Sequence, residues 1–404
     1  MQTDFYRIGK LPPYVFAEVN KLKAEARAAG RDIIDFGMGN PDSKPPQHVI
    51  DKVRDTLNDP KAHRYSLSRG IFGLRKAQAA YYQRRFGVEL DPDSEIVVTI
   101  GSKEGLANLA QAITGPDDYF IVPDPSYPIH VWGFVIAGAK ILSIPNVTGP
   151  EFFVHLKKAI ETAPKKPTAI IVNYPCNPTA FTVDIAFYEQ VVDICKHYGI
   201  YVISDLAYNE LYFDGVPTPS ILQVKGAKDV AVEFTTVSKT YSMAGWRIGF
   251  AAGNKTLIGA LTKIKSYLDY GTFLPVQVGA TAALNGPQDY VETMRKLYQE
   301  RRDIMVSGLK EAGWDVPVPS ASMFVWAPLP KAFASMGCME FSKKLLLEAD
   351  VAVAPGIGFG PGGEGYVRLA LVENKHRIRQ AMRNIKQALA NHGDQYAPLE
   401  KAAT

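Results

Sequence analysis

The sequence has few cysteines, and those it has are scattered. Cys176, Cys195 and Cys338 are the only three in 404 residues, and they form no CxxC pair. An odd set of distant thiols argues against a disulfide framework and for reduced thiols in a cytoplasm. We therefore expect a cytoplasmic protein, and no metal site is predicted.

Long apolar runs and tracts of one charge are also missing. No run approaches the roughly 18 apolar residues that a membrane span needs. The first residues, "MQTDFYRIGKLPPYVF", lack the apolar core of a signal peptide. The net charge is only +4, and no basic tract suggests binding to nucleic acid. We expect neither a membrane nor a nucleic acid as a partner.

Alternating β-rich and helical segments make up the middle of the chain. "EIVVTIG" (95–101) is followed directly by "SKEGLANLAQAI", in which Leu106, Leu109 and Ile113 share one helical face. "VDIAFYEQVVDICKHYG" (183–199) is a helical pattern that ends in a glycine cap. Further apolar runs are "YFIVPDP", "AKILSIP", "TAIIVNYP", "IYVISDLAY" and "VAVEFTTVSK". This pattern predicts an α/β fold with a mostly parallel sheet sandwiched by helices.

The chain is long enough for more than one structural unit. We predict a large unit over residues 46–286 and a smaller α+β unit over 287–404. Residues 1–45 form an N-terminal arm and part of the smaller unit. "PQDYVETMRKLYQERRDIMVSGLKEAGW" (287–314) is predicted to be one long amphipathic helix, and "YAPLEKAAT" a loose tail.

Several predicted strand ends carry polar residues, and each alone has two readings. "TIGSKEG" (99–105) is either a phosphate-binding turn at a helix start or a plain serine-capped turn. Asn177, in "NYPCNPT", could donate a fixed hydrogen bond or merely belong to an Asn-Pro turn. Asp205 follows the buried run "IYVI", where it needs a cationic partner unless it caps the next helix.

The segment "TTVSKTYSMAGWRIGF" (235–250) contains Lys239 among small hydroxyl residues, with Arg247 eight positions later. A buried lysine without a carboxylate nearby in sequence is costly to keep charged. Either Lys239 reaches solvent, or it is a nucleophilic amine with a lowered pKa.

The order of these motifs is more specific than any one of them. A Gly/Ser turn, Asn-Pro-Thr, Asp-x-x-Tyr and Ser-Lys with a later Arg follow one another along the chain. The arrangement resembles the class I, fold-type-I aminotransferases that depend on pyridoxal phosphate. Within them it is similar to bacterial alanine (glutamate–pyruvate) aminotransferases, which in turn resemble diaminopimelate aminotransferases. Supporting segments include "LPPYVFAEVNKLKAEAR", "DFGMGNPD", "YSLSRGIFGLR", "PSYPIH", "IKSYLDYGTF" and "YVRLALVEN".

The resemblance implies a role for each residue around the cofactor ring. Lys239 would bind the cofactor aldehyde covalently and then move a proton as the catalytic base. Asp205 would sit against the pyridine nitrogen and keep it protonated. Tyr208 and Asn177 would hydrogen-bond the ring oxygen, and Tyr127 would stack on the ring face.

The resemblance also implies a phosphate site and a homodimer. The phosphate would be held by the backbone of Ser102 and Lys103, by Thr236 and Ser238, and by Arg247, whose planar fork can bond two oxygens. Tyr65 matches a family position that reaches the phosphate of the neighbouring subunit.

Substrate positions follow from the same resemblance. Arg368 in "GYVRLAL" matches the arginine that clamps the substrate α-carboxylate, with Asn177 beside it. Gly39 and Tyr14 match other substrate-side positions, and Tyr270 is expected to reach the partner's site.

The sequence departs from the family at Ala180, where glycine is usual; the change costs little unless that backbone needs positive φ. Lys103, where many relatives have a small hydroxyl residue, would add charge near the phosphate or substrate. Residues 266–273 contain no Arg or Lys to bind a second carboxylate, and Asp269 is expected to repel one.

These features favour L-alanine and 2-oxoglutarate as substrates, in a ping-pong transamination that yields pyruvate and L-glutamate. Alternatives on the same scaffold are a diaminopimelate, aspartate or methionine-type aminotransferase and a C–S lyase. A non-catalytic sensor of the cofactor is the alternative from another class.

Overall fold

The structure is a computed structural model that describes residues 5–13 and 15–390. Its helices are α1 (Phe16–Ala28), α2 (Gln47–Thr56), α3 (Phe72–Phe86), α4 (Ser102–Ile113), α5 (Ile129–Ala137), α6 (Pro150–Thr162), α7 (Ile185–Tyr198), α8 (Val237–Thr240), α9 (Lys255–Leu268), α10 (Leu274–Asn285), α11 (Asp289–Glu311), α12 (Cys338–Ala349) and α13 (Lys375–Ala390). Its strands are β1 (Ile34–Asp35), β2 (Ile96–Thr99), β3 (Tyr119–Asp124), β4 (Lys140–Pro145), β5 (Ala169–Val172), β6 (Tyr201–Asp205), β7 (Ala231–Thr236), β8 (Gly249–Gly253), β9 (Phe324–Pro328), β10 (Val351–Ala352), β11 (Ala354–Pro355) and β12 (Tyr366–Ala370).

Seven strands form the central sheet, in the order β2-β8-β7-β6-β5-β3-β4. Strands β3 to β7 pair in parallel, and only β8 runs antiparallel to its neighbours β2 and β7. The inner strands are buried on both faces, as their near-continuous apolar sequences predict. The predicted α/β fold is therefore confirmed.

Helix α7 shows how local sequence sets these boundaries. The Asp184 carboxylate caps its start by accepting a hydrogen bond of 2.9 Å from the Phe187 amide. Gly199 ends it in the left-handed conformation with φ 64°, which glycine adopts without strain. The buried face of α7, which includes Phe187, Val191 and Cys195, covers the sheet. The glycine-capped helix predicted here is confirmed.

A second, antiparallel sheet has the order β11-β12-β9, and β1 pairs in parallel with β10. The pairing of Ile34 with Val351 joins an N-terminal strand to the C-terminal part of the chain. Helix α11 is the long helix predicted from residues 287–314. Because this part has its own apolar cluster, we propose the division into 1–45, 46–286 and 287–404 as the domain organisation.

Other sequence predictions concern the cysteines, membrane spans, Tyr14 and the C-terminal tail. Cys176, Cys195 and Cys338 are all free and buried, as expected of reduced thiols. Among residues 5–13 and 15–390, no helix is long and apolar enough to cross a membrane. The predicted C-terminal tail and Tyr14 lie outside the described residues.

Candidate active site

A cavity of about 440 Å³ lies where the carboxyl ends of the central strands face the smaller sheet. Ligand sites of open α/β sheets form at such strand ends, because loops and helix N-termini converge there. The predicted site residues that line it are Gly39, Ser102, Lys103, Tyr127, Asn177, Asp205, Tyr208, Thr236, Ser238, Lys239, Arg247 and Arg368. The fold thus brings together twelve of the predicted positions, which are spread over more than 300 residues of sequence.

Lys239 points into this cavity from the short helix α8. The Thr236 side chain fixes the start of that helix by accepting a hydrogen bond of 3.0 Å from the Ser238 amide. The Lys239 ammonium donates to the carbonyl oxygen of Gly39 at 2.7 Å. Burial, with the positive charges of Arg368 and Arg247, lowers the pKa of Lys239 to about 8. The amine is therefore close to the protonation balance that a nucleophile or base requires at neutral pH.

Asp205 ends β6 and is only 5% exposed. Its Oδ2 lies 2.9 Å from His130 Nε2, whereas its buried Oδ1 has no hydrogen-bond partner among the described residues. Among the described residues, the next helical element after β6 is the short 3-10 helix Ile221–Gln223, so Asp205 is not at a helix start and the helix-cap reading is wrong. A buried carboxylate oxygen without a donor, at the edge of a cavity, is suited to a protonated nitrogen of a ligand.

His130 is a site residue that the sequence reasoning missed. It is 1% exposed and lies on α5, "IHVWGFVIA", where it is the one strongly polar side chain. A lone histidine in an otherwise apolar helix was the available signal, since a buried imidazole needs a hydrogen-bond partner. The edge of its ring also faces Tyr127, with 5.9 Å between the ring centroids.

Asn177 and Tyr208 meet on the side of the cavity formed by the loops after β5 and β6. The Asn177 amide nitrogen lies 3.5 Å from the Tyr208 hydroxyl oxygen. Asn173 supports both loops, because its Oδ1 accepts from the Asn177 backbone amide at 2.8 Å and its Nδ2 donates to the Asp205 carbonyl at 2.7 Å. Burial raises the pKa of Tyr208, so its hydroxyl keeps its proton and can donate.

The turn before α4 has the shape of an anion cradle. Gly101 has φ 80°, and a Cβ there would lie 2.1 Å from the Arg247 guanidinium. A Cβ on Gly249 would lie 2.5 Å from the Ser102 amide nitrogen. Both glycines therefore keep space beside the N-terminus of α4, where amide groups and the helix dipole favour a phosphate. Arg247 donates to the Ala244 carbonyl through Nη1 at 2.8 Å.

Arg368 lies on β12 at the opposite wall and is 6% exposed, so it is not a solvated edge charge. Its Nη1 donates to Asn177 Oδ1 at 2.6 Å and its Nη2 to the Gly37 carbonyl at 2.9 Å. Its guanidinium carbon lies 4.1 Å from the ring centroid of Phe324 and 4.5 Å from that of Phe359. These contacts hold a planar cation in place for a carboxylate.

The structure modifies two sequence expectations near the site. Ala180 has φ 58°, so the backbone does adopt the left-handed conformation that favours the glycine usual there. Asp269 is not an isolated charge, because its Oδ2 is paired with the Lys265 ammonium at 2.8 Å. This pairing weakens the expected repulsion of a second carboxylate, which stays a prediction because Lys265 is shared with Glu104.

Tyr65 and Tyr270 lie outside the cavity lining. They are 86% and 65% exposed, and their rings contact each other with centroids 4.8 Å apart. Their roles in a partner's site stay predictions.

The site fits pyridoxal 5'-phosphate on three independent grounds. An amine with a lowered pKa suits an aldehyde, the unpartnered Asp205 oxygen suits a ring nitrogen, and the turn at Gly101 suits a phosphate. Fold and site together define a pyridoxal-phosphate-dependent enzyme of fold type I.

Comparison with known proteins agrees with this class. The chain belongs to the family "Aminotransferase class I and II", whose model matches residues 31–385. It is 55% identical to the glutamate-pyruvate aminotransferase AlaC of Escherichia coli, over 95% of this chain and 93% of that protein. It is 42% identical to the LL-diaminopimelate aminotransferase of Moorella thermoacetica, over 95% and 97% of the two chains. The apo-BacF structure from Bacillus subtilis superposes with a TM-score of 0.90 and 34% identity, covering 96% of this chain and 98% of that one.

Proposed function

We propose that this aminotransferase converts L-alanine and 2-oxoglutarate to pyruvate and L-glutamate by a ping-pong mechanism. The observation that carries the chemistry is the enclosure of Lys239, Asp205 and Arg368 in one cavity. The identity of 55% to the glutamate-pyruvate aminotransferase, against 42% to the diaminopimelate enzyme, favours alanine as the amino donor.

Each catalytic side chain would act through the contacts already described. Lys239 Nζ would take a proton from the substrate α-carbon and deliver it to the cofactor carbon that carried the aldehyde, because its pKa of about 8 permits both protonation states. Asp205, held by His130, would keep its carboxylate directed at the ring nitrogen. When bound, the cofactor supplies an electron-accepting ring that stabilises negative charge at the substrate α-carbon. Tyr208 and Asn177 would donate to the ring oxygen.

The phosphate would lie against the N-terminus of α4 and the cation beside it. Ser102 and Lys103 would supply backbone amides, and Arg247 a positive charge. The hydroxyl oxygens of Thr236 and Ser238 lie 2.8 Å apart, and both hydroxyl groups would contact the phosphate oxygens.

Substrate carboxylates would be bound at two places. Arg368 would clamp the α-carboxylate, with Gly39 and Tyr14 close to the substrate. Lys103 lines the cavity, with its ammonium 5.8 Å from the Tyr127 ring centroid, and is our candidate for the second carboxylate of glutamate. Tyr127 would stack on the cofactor ring.

We propose that the enzyme is a cytoplasmic homodimer with shared active sites. The three free thiols agree with a reducing compartment. Several exposed apolar side chains belong to the two chain segments of Tyr65 and Tyr270, whose rings are in contact, and a large exposed apolar surface typically marks a protein contact. We call this set the aromatic surface; it comprises Tyr65, Leu67, Phe72, Tyr267, Leu268, Tyr270 and Phe273. A second copy of the chain would cover it, with Tyr65 reaching the partner's phosphate site and Tyr270 its substrate side.

The experiment compares kcat/KM for several amino donors at fixed 2-oxoglutarate. Alanine should exceed aspartate, methionine and diaminopimelate by at least about tenfold, a difference of 1.4 kcal/mol in transition-state binding. A higher value for diaminopimelate would overturn the alanine assignment. Ammonia release without an oxo-acid acceptor would instead indicate a lyase, and a bound cofactor that no amino acid converts would indicate a sensor.

A further inference from the structure

Lys265 is a fully buried lysine that has no role in the proposed catalytic chemistry. It is 0% exposed near the end of α9, and it does not line the cavity. Its ammonium lies 2.9 Å from Glu104 Oε1 and 2.8 Å from Asp269 Oδ2. A lysine is almost never fully buried unless it is paired, because removing the ammonium from water is costly. The two carboxylates that it joins belong to two different functional regions.

Glu104 connects Lys265 to the phosphate turn. It lies in the first turn of α4, and its Oε2 accepts a hydrogen bond of 2.7 Å from the Ile100 amide, directly before Gly101. This bond holds the backbone where the turn begins. A carboxylate in this position would also repel a phosphate, and the positive charge of Lys265, which Glu104 shares with Asp269, offsets part of that repulsion. Lys265 thus supports the shape of the anion site and reduces its negative charge.

Asp269 connects Lys265 to the aromatic surface. Its Oδ1 accepts a hydrogen bond of 2.6 Å from the Gly271 amide, directly after Tyr270. Gly271 has φ 75°, and a Cβ there would lie 2.3 Å from the Leu67 carbonyl oxygen, so the loop fits tightly against the segment of Tyr65. The Asp269 side chain therefore holds the backbone beside Tyr270, whose ring contacts that of Tyr65.

Gln277, which is 0% exposed, is hydrogen-bonded both to the segment of Tyr65 and to the loop after Tyr270. Its amide nitrogen donates to Ser66 Oγ at 2.8 Å and to the Thr272 carbonyl at 2.6 Å, while its Oε1 accepts from the Ile71 amide at 2.9 Å. The aromatic surface is therefore built on a hydrogen-bonded polar base, and the ion triad continues from it to the phosphate turn.

We propose that Lys265 is a positioning residue that couples cofactor-phosphate binding to the pairing of two copies of this chain through the aromatic surface. The inference rests on the proposed homodimer. Phosphate binding orders the turn that Glu104 holds, and subunit pairing orders the loop that Asp269 holds. Because Lys265 fixes both carboxylates, each event lowers the cost of the other, and the coupling is reciprocal.

The test uses the full chain and the variants Lys265→Met and Asp269→Asn. Subunit exchange between two mass-tagged populations is followed by native mass spectrometry, with and without pyridoxal 5'-phosphate. In the wild type the cofactor should slow exchange by at least about fivefold, the lower end of ordinary coupling. In both variants the cofactor should change the exchange rate by less than about twofold. Asp269→Asn keeps the result decisive if Lys265→Met does not fold.

A control and a second readout separate coupling from general stability. Arg302, on α11, is a buried cation of similar exposure, 4%, and it is paired with Asp214 at 2.6 Å instead of with a carboxylate of the ion triad. Arg302→Met should lower the melting temperature and leave the cofactor effect on exchange intact. Lys265→Met should also weaken binding of pyridoxal phosphate more than binding of pyridoxal, which lacks the phosphate.

Two outcomes separate the role of Lys265 from the homodimer on which that role rests. A dimeric wild type whose cofactor effect persists in both variants overturns the role of Lys265 and leaves the homodimer intact. A wild type that sediments as a monomer overturns the homodimer and this inference with it.

Discussion

Arg368 donates a hydrogen bond of 2.6 Å from Nη1 to Oδ1 of Asn177, across the cavity wall and 191 residues away in sequence. One residue belongs to the smaller antiparallel sheet and the other to the loop after β5 of the central sheet. Arg368, the proposed carboxylate clamp, is thus oriented by the same side chain that lies against Tyr208, which we propose donates to the cofactor ring. In the proposed site, recognition of substrate and of cofactor would share Asn177.

Replacing Arg368 should weaken substrate binding while the cofactor stays bound. In Arg368→Gln we expect KM for alanine and for 2-oxoglutarate to rise at least about 30-fold, because losing a buried charged partner costs 2 kcal/mol or more. The absorption band of the bound cofactor should persist. Arg379→Gln, which changes an exposed arginine on α13, is the control and should leave KM unchanged. An unchanged KM in Arg368→Gln would exclude the proposed carboxylate clamp.

Attachment of the cofactor should follow the protonation of Lys239. The amine is a nucleophile only when neutral, and its pKa is lowered to about 8, so it is mostly protonated below that pH and neutral above it. We expect the rate at which the cofactor-free protein binds pyridoxal phosphate covalently to rise with pH, to be half-maximal near pH 8 and to level off above it. Stopped-flow absorption across this range gives the profile. A midpoint near the ordinary lysine value of about 10.4 would show that Lys239 is not perturbed.

His130 should support Asp205 without being essential. In His130→Asn the Asp205 carboxylate loses its hydrogen bond of 2.9 Å, and we expect kcat to fall about tenfold, the worth of one bond to a charged group. Asp205→Asn should lower kcat far more, since it removes the group that faces the ring nitrogen. Both variants should still bind the cofactor. Equal losses of kcat in the two variants would contradict the supporting role of His130.

Ala180→Gly should stabilise the protein. The left-handed backbone at φ 58° costs an alanine about 1–2 kcal/mol, which exceeds the 0.4–1 kcal/mol of extra entropy that glycine gives the unfolded chain. We expect the free energy of unfolding, measured by urea titration, to rise by about 0.5 kcal/mol. Ala24→Gly, at an exposed position inside α1, should lower it by about 1 kcal/mol. Destabilisation of similar size by both changes would contradict the strain at Ala180.

The sequence predicts those parts of the fold that depend on local pattern. The buried run before Asp205 marks β6, and Gly199 marks the end of α7. Strand β8 was not predicted, because "GFAAG" has small residues in place of the β-branched residues typical of strands. The resemblance supplied which strand ends belong to one site, since spacing along the chain does not show which loops meet.

The sequence could not predict which side chains distant in sequence contact each other. His130 is 75 residues from Asp205, and only the tertiary fold, in which α5 packs against α4, β3 and β4, brings them together. Asp269 was interpreted from its charge alone, although Lys265 four residues earlier is at the spacing of a helical ion pair. That spacing was a usable signal for the inward orientation of Asp269.

The central claim is that Lys239, Asp205 and Arg368 act on alanine, and a single-turnover measurement tests it most directly. The protein is loaded with pyridoxal phosphate, freed of excess, and mixed with L-alanine in the absence of any oxo acid. We expect loss of the visible band of the bound cofactor, with one pyruvate formed for each active site, and no pyruvate from Lys239→Ala. A band that persists with alanine but is lost with diaminopimelate or aspartate would contradict the proposed substrate. Pyruvate formation by Lys239→Ala at the wild-type rate would contradict the mechanism itself.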